Sequence, residues 1–353
     1  MLKELTKVAA RPNMKGHYAK TVQPDVGLRR SDTFPLEDRA AWEAHYAEQG
    51  YVIVSGVLSD AVVAEAKQGC AALVEALAQR LLAKGAVADA CEGSPFETRL
   101  MDLCAGCPEE LPNLFRAELH REEFHALLCD PTLLDVVGAL LPEAKATRIY
   151  PNYSARPKTP SAVHAVVWHQ DAGLRSDGGP STAPEAERLE NFGVGKVVNV
   201  WTPLVPARVS NGCMKVVPRS HELGLLEHAL VSCYSMGAAG LEGGAIPDSI
   251  DGFNADEETA APVGSYMTAI KPEIMAQVEP GAVSVELDPG SVLLFNNILV
   301  HRGGENVSDH IRWSLDFRFQ DAAKSTCRSW HGHVVKGPGA VASAADWASR
   351  KLE

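Results

Sequence analysis

The spacing of apolar positions divides the chain into a helical first part and a strand-rich second part. Residues 1–35 hold Pro12, Pro24 and Pro35 without periodicity and are expected as an extended arm. Residues 37–49 read as a helix and 51–54 as a short buried strand. Ser59 or Asp60 can cap a long helix that runs to Lys84 and stops at Gly85. Helical spacing returns over 114–141, broken at Asp130-Pro131 and ended by Pro142. Strands are expected at 147–153, 163–169, 196–204, 214–217, 283–287, 291–296 and 312–320. The last is the clearest: Trp313, Leu315, Phe317 and Phe319 alternate with Arg312, Ser314, Asp316, Arg318 and Gln320. Helices followed by strands broken by Gly and Pro predict a mainly β fold with flanking helices, an antiparallel barrel or sandwich. A polar strand face turned into a small barrel lines a ligand chamber.

Composition narrows this picture. With 353 residues, 46% of them hydrophobic, the chain can bury a sizeable core. One domain is expected over 36–330, with a helical buttress at 36–142, a β core at 147–320 and a peripheral tail at 331–353. Residues 222–280, rich in Gly, Ala and acids, are expected as an active-site lid or a surface insertion. A net charge of -12 argues against a nucleic-acid partner, since such binding leans on Lys and Arg. No apolar run approaches the roughly 20 residues that span a bilayer, so no membrane partner is expected. The N-terminus lacks a secretory apolar core, although residues 1–30 are mildly basic and leave an organelle address open. Eight irregularly spaced cysteines read as free thiols in a cytoplasmic setting. The oligomeric state stays open.

Candidate chemistry centres on Trp168-His169-Gln170-Asp171. On a strand, His169 and Asp171 point to the same side of the sheet. A later histidine completes a metal site, and His301, after a turn and a buried apolar run, is the candidate. Two histidines and a carboxylate with open positions are the arrangement of non-haem iron(II) oxygenases, although zinc or manganese could bind the same set. After His301 and ten intervening residues comes Arg312-Trp313-Ser314, a guanidinium fork beside a hydroxyl that suits a carboxylate.

This ordered set resembles the phytanoyl-CoA dioxygenase family of iron(II)/2-oxoglutarate-dependent dioxygenases. Trp201-Thr202-Pro203-Leu204, Asn211-Gly212-Cys213 and Pro218-Arg219-Ser220-His221 are similar to further family motifs, as are residues 50–54. The resemblance spans about residues 42 to 320. It implies a double-stranded β-helix, a jelly-roll, cupin-like barrel. It implies iron(II) on His169, Asp171 and His301, with 2-oxoglutarate as co-substrate and O2 as oxidant. Arg312 and Ser314 would hold the far carboxylate of 2-oxoglutarate, with Gln170 and Trp201 lining its pocket. One departure stands out: relatives carry a hydroxyl residue two places after the distal histidine, where this chain has Gly303. Halogenases of this scaffold lack the carboxylate, so Asp171 favours hydroxylation or desaturation over chlorination.

The expected activity is hydroxylation of a C–H bond in a small, polar metabolite or natural product, releasing succinate and CO2. The alternatives are a non-oxidative metalloenzyme or a non-catalytic binding protein on the same barrel. Arg318, on the polar strand face, is the expected contact for an anionic substrate group, with Arg219 and Tyr153 as further substrate candidates. Cys104, Cys107, His120 and His125 have the spacing of a zinc finger. Their acidic surroundings and the apolar helix that follows argue for packing instead.

Overall fold

The computed structural model of the protein describes residues 32–107, 110, 114–160, 166–173, 190–193, 195–232, 266–327 and 331–350. The first part runs β1 (Thr33–Pro35), α1 (Arg39–Gln49), β2 (Tyr51–Ser55), α2 (Asp60–Lys84), α3 (Arg99–Leu103), β3 (Leu114–Phe115), α4 (Glu122–Leu128) and α5 (Pro131–Leu140). The second part holds β4 (Thr147–Ile149), β5 (Ser154–Lys158), β6 (Val197–Pro203), β7 (Met214–Val216), β8 (His228–Ser232), β9 (Tyr266–Ile270) and α6 (Pro272–Val278). It continues with β10 (Val283–Val285), β11 (Val292–Asn296), β12 (His301–Gly303), β13 (Arg312–Asp321), β14 (His333–Lys336) and α7 (Ala344–Ser349).

The helix ends follow their capping residues. The Ser59 hydroxyl accepts from the Val62 N–H at 3.3 Å, and Gly85 closes α2 at φ 69°. Asp130 accepts from the Leu133 N–H at 2.9 Å, with Pro131 in the first turn of α5. The helical stretch expected from residue 114 opens as a 3₁₀ helix at Arg116–Leu119 and becomes α-helical only at Glu122, because Leu114 and Phe115 pair with β5 instead.

Nine strands form the major sheet, in the order β1-β2-β11-β6-β13-β4-β14, with β5 pairing β13 and β3 off that path. A second sheet has the order β10-β7-β12, and β8 pairs with β9. Strand alternation then divides the core in two. On one face of the major sheet, Val52, Val54, Val200, Leu294, Trp313, Leu315, Phe317 and Phe319 pack with helix residues such as Leu73, Leu77, Phe124 and Leu133. On the other face, Tyr51, Ile53, Trp201, Leu293 and Phe295 pack against Met214, Val216, Val283 and Val285 of the small sheet. Arg312, Ser314, Arg318 and Gln320 occupy this inner side of β13 and are buried as well. The polar face is interior, as the alternation predicts.

Three expectations on chain organisation change. Residues 331–350 are no peripheral tail. β14 extends the major sheet beside β4, and Trp347 of α7 is fully buried, its indole N–H donating to Leu119 O at 2.8 Å. A lone aromatic in a polar segment gives no periodic signal of this packing. The arm ends in structure, since Thr33–Pro35 pairs in parallel with β2; residues 1–31 lie outside the described residues. The expected lid is described only at its ends, where β8 and β9 form a ladder and α6 follows; residues 233–265 lie outside the described residues.

Candidate functional site

His169 and His301 face each other across an antiparallel bridge. Each donates its backbone N–H to the other's carbonyl, at 3.1 Å and 3.0 Å. The bridge fixes the two rings 4.2 Å apart, centroid to centroid. The Ser220 hydroxyl, from the Pro-x-Ser-His motif, accepts from the Val300 N–H at 2.8 Å and pins the approach to His301. Contrary to the expectation of a shared strand, Asp171 does not follow His169 on one. It opens a 3₁₀ turn, Asp171–Gly173, that swings its carboxylate between the imidazoles.

Both histidines spend Nδ1 on the backbone. His169 Nδ1 lies 2.8 Å from Val167 O, and His301 Nδ1 lies 3.0 Å from Leu299 O. A proton held there leaves the Nε2 lone pair outward, the tautomer a metal ligand needs. His169 Nε2 lies 3.6 Å from Asp171 Oδ1, and His301 Nε2 lies 3.9 Å from Asp171 Oδ2. Burial, with His169 beside it, pushes His301 down to about 4, so its ring is neutral at neutral pH. Burial alone would raise the Asp171 carboxyl, but Arg318 and the two histidines hold it well below the usual carboxylate range.

These residues fit a divalent metal. Their ligand atoms lie within 4.8 Å of one another, and the buried Asp171 Oδ1 has no hydrogen-bond partner among the described residues. The set offers two neutral nitrogens and one anionic oxygen, which matches borderline divalent ions. It is the one such cluster among the described residues. The zinc-finger spacing assembles nothing comparable. Cys104 and Cys107 pack in the helical core, and His120 Nε2 lies 2.6 Å from the Tyr153 hydroxyl.

The remaining predicted site residues separate. Arg312 and Trp201 come together, the guanidinium carbon 4.9 Å from the ring centroid. The Arg312 guanidinium donates to the Ser314 hydroxyl at 2.8 Å, while its Nε has no partner and no carboxylate pairs with it among the described residues. Burial pushes Arg312 down to about 10, which still leaves it charged at neutral pH. Arg318 is committed to Asp171, not to a substrate anion. Its Nε and second terminal nitrogen sit 3.1 Å and 2.8 Å from Asp171 Oδ2, and its other terminal nitrogen donates to Asn152 O at 3.0 Å. Asp316 extends the network, 3.4 Å from Arg318 and 2.6 Å from Arg156.

Gln170 also has partners nearby. It clasps the backbone, donating to Gly224 O at 2.8 Å and Ile298 O at 2.6 Å and accepting from the Leu226 N–H at 2.7 Å. Tyr153 is fully buried among His120 and Trp347, and Arg219 is a half-exposed residue paired with Glu48 and Glu222. Neither belongs to the metal site. Lys158 is a buried residue directly across the ladder from Arg312. A strand-end lysine reads as exposed, and no local pattern reveals its cross-strand partner.

Two imidazoles and a carboxylate, held between two packed β-sheets, define a mononuclear metal site with three protein ligands. The chain belongs to the phytanoyl-CoA dioxygenase (PhyH) family, whose profile matches residues 46–314. No curated protein matches the chain. Solved structures similar to it include the non-heme monooxygenase ThoJ, at 19% identity and TM-score 0.49, covering 83% of each chain. The epimerase SnoN in complex with Fe3+, alpha ketoglutarate and nogalamycin RO is similar at 19% identity and TM-score 0.44, covering 82% of this chain and 87% of its own. EctD from S. alaskensis with 2-oxoglutarate and 5-hydroxyectoine is similar at 18% identity and TM-score 0.44, covering 86% and 82%.

Proposed function

We propose that the protein is an iron(II)- and 2-oxoglutarate-dependent oxygenase that hydroxylates a C–H bond of a small molecule in the cytoplasm. His169 Nε2, Asp171 Oδ1 and His301 Nε2 would hold the iron, and Arg312 with Ser314 would hold the distal carboxylate of 2-oxoglutarate. Iron supplies the activation of O2 that couples loss of CO2 from 2-oxoglutarate to oxidation of a substrate C–H bond. The two facing sheets would close as a double-stranded β-helix, one catalytic domain with the helices as its buttress.

The chain's own residues prepare that chemistry. The His169–His301 bridge sets two ligands before any ion arrives, so little ordering is left for binding. Arg318 loads Asp171 Oδ2 and leaves Oδ1 without a hydrogen bond among the described residues, 3.6 Å from His169 Nε2. Arg312 carries a buried positive charge against the face of Trp201, and a buried cation with no carboxylate paired to it among the described residues calls for an anion. That buried charge, on the same inner strand face as the Arg318 that holds Asp171, is the observation that carries the reading. The Arg318 guanidinium is spent on Asp171 and Asn152 O, so an anionic substrate group would need another partner.

The test is succinate formation. Protein with iron(II), 2-oxoglutarate and air, given a panel of metabolites, should release succinate and an oxygenated product. Arg312→Ala should raise the 2-oxoglutarate requirement by about 2–4 kcal/mol, with Arg312→Lys recovering only part. Unchanged 2-oxoglutarate dependence in Arg312→Ala removes the co-substrate assignment. A metal-dependent product formed without succinate favours the non-oxidative alternative.

A further inference from the structure

The stretch that carries His169 offers two edges to its neighbours. In an extended chain, the backbone groups of successive residues point to opposite sides. His169 uses one edge for its bridge to His301 of β12. Trp168 O and the Gln170 N–H belong to the other edge, and β9 and β8 meet them there. Ile270 of β9 donates its N–H to Trp168 O at 2.9 Å. His228 of β8, the register partner of Ile270, accepts the Gln170 N–H on its Nε2 at 3.1 Å. An imidazole thus stands where a continuing ladder would offer a carbonyl.

The other ring nitrogen fixes the proton. His228 Nδ1 lies 2.8 Å from Leu226 O. A carbonyl only accepts and a backbone N–H only donates, so the ring carries its proton on Nδ1 and keeps a lone pair on Nε2. Burial pushes His228 down to about 4, which keeps the ring neutral at neutral pH. The same stretch of chain also holds the Gln170 side chain, through the Leu226 N–H at 2.7 Å and Gly224 O at 2.8 Å. Gln170 is fully buried, and residues 224–228 therefore grip both its backbone and its amide.

The grip falls between two metal ligands. The Gln170 N–H lies in the peptide plane that joins Gln170 to His169, and the chain runs on directly to Asp171. Turning that plane swings the Asp171 carboxylate relative to the His169 imidazole. A buried N–H stripped of its acceptor is costly to leave unpaired, so the peptide would turn to find another.

Resting on the metal-site reading above, we infer that His228 is a positioning residue for the metal centre. By accepting the Gln170 N–H it fixes the peptide between two ligands, and the β8–β9 ladder thereby sets how His169 and Asp171 present themselves to an ion. His228 itself stays outside the ligand set, with its lone pair spent on the backbone.

Co(II) titration of the metal-free protein tests this, read by the visible d–d bands and by competition with a chromophoric chelator. His228→Leu removes the acceptor and should weaken Co(II) binding by about 10–100-fold, with altered d–d bands. His228→Gln returns an amide oxygen near the place of Nε2 and should recover most of the affinity and the wild-type bands. Wild-type affinity and bands in His228→Leu, whatever its urea midpoint, would mean that His228 only packs, and would overturn the inference. So would a loss that His228→Gln shares in full. A further measurement needs no variant to fold. In metal-free wild type, the ¹⁵N resonances of His228 should show a protonated Nδ1 and a bare, hydrogen-bonded Nε2. A proton on Nε2 overturns the inference. In each of these cases, Co(II) binding by wild type leaves the metal site standing. No Co(II) binding by wild type overturns both.

Discussion

Asp171 divides its two oxygens between two tasks. Oδ2 takes the Arg318 guanidinium, and Oδ1, beside His169 Nε2, has no hydrogen bond among the described residues. Arg318 thus positions the metal ligand and keeps it ionised, at the cost of its own burial, which Asp171 and Asp316 offset. Arg318→Met should weaken divalent metal binding by about 10–100-fold, read by competition with a chromophoric chelator. Arg318→Lys should recover part, since a point charge does not reproduce the fork. Metal affinity unchanged in Arg318→Met contradicts the clamp. The triad itself was legible in the sequence, because residue type and order single out His169, Asp171 and His301. The partner of Arg318 was not. Asp171 is 147 residues away, and only the folded 3₁₀ turn brings it to the inner face of β13. The partners of Gln170 were hidden for a similar reason: its amide serves the backbone at Gly224, Leu226 and Ile298, which no motif announces.

At the scale of elements, strong local signals gave accurate bounds. α2 begins and ends at its Ser59 and Gly85 caps, and β13 starts at Arg312 with the expected alternation intact. Short elements escaped notice. β12 and β14 have three and four residues, too few to display a period of two, and both owe their existence to partners across a sheet. The C-terminal segment shows what this omission hides. Trp347 closes the core beneath α4, touching His120 and His333 and bonding Leu119 O. Trp347→Ala should cost about 3–5 kcal/mol of stability, measured as a shift of the urea midpoint at constant slope. A shift below about 1 kcal/mol would return these residues to the role of a peripheral tail.

At the scale of the molecule, one sheet serves two purposes. Its outer face seats the helices through Val200, Leu315 and Phe317, and its inner face meets the small sheet through Trp201 and Phe295. The polar side chains of β13 lie on that inner side, so the chamber is lined by charge but walled by core. The ligands come from different places: His301 from β12 of the small sheet, His169 bridged to it, and Asp171 from the turn beyond. Metal and co-substrate binding should therefore depend on one another. The direct test is anaerobic titration of 2-oxoglutarate into the protein with and without iron(II), in wild type and in Asp171→Ala. One equivalent should bind wild type with iron(II), and binding should be lost without the metal and in Asp171→Ala whose circular dichroism is unchanged. Equal 2-oxoglutarate binding by metal-free wild type and by iron-treated Asp171→Ala would contradict the site as described.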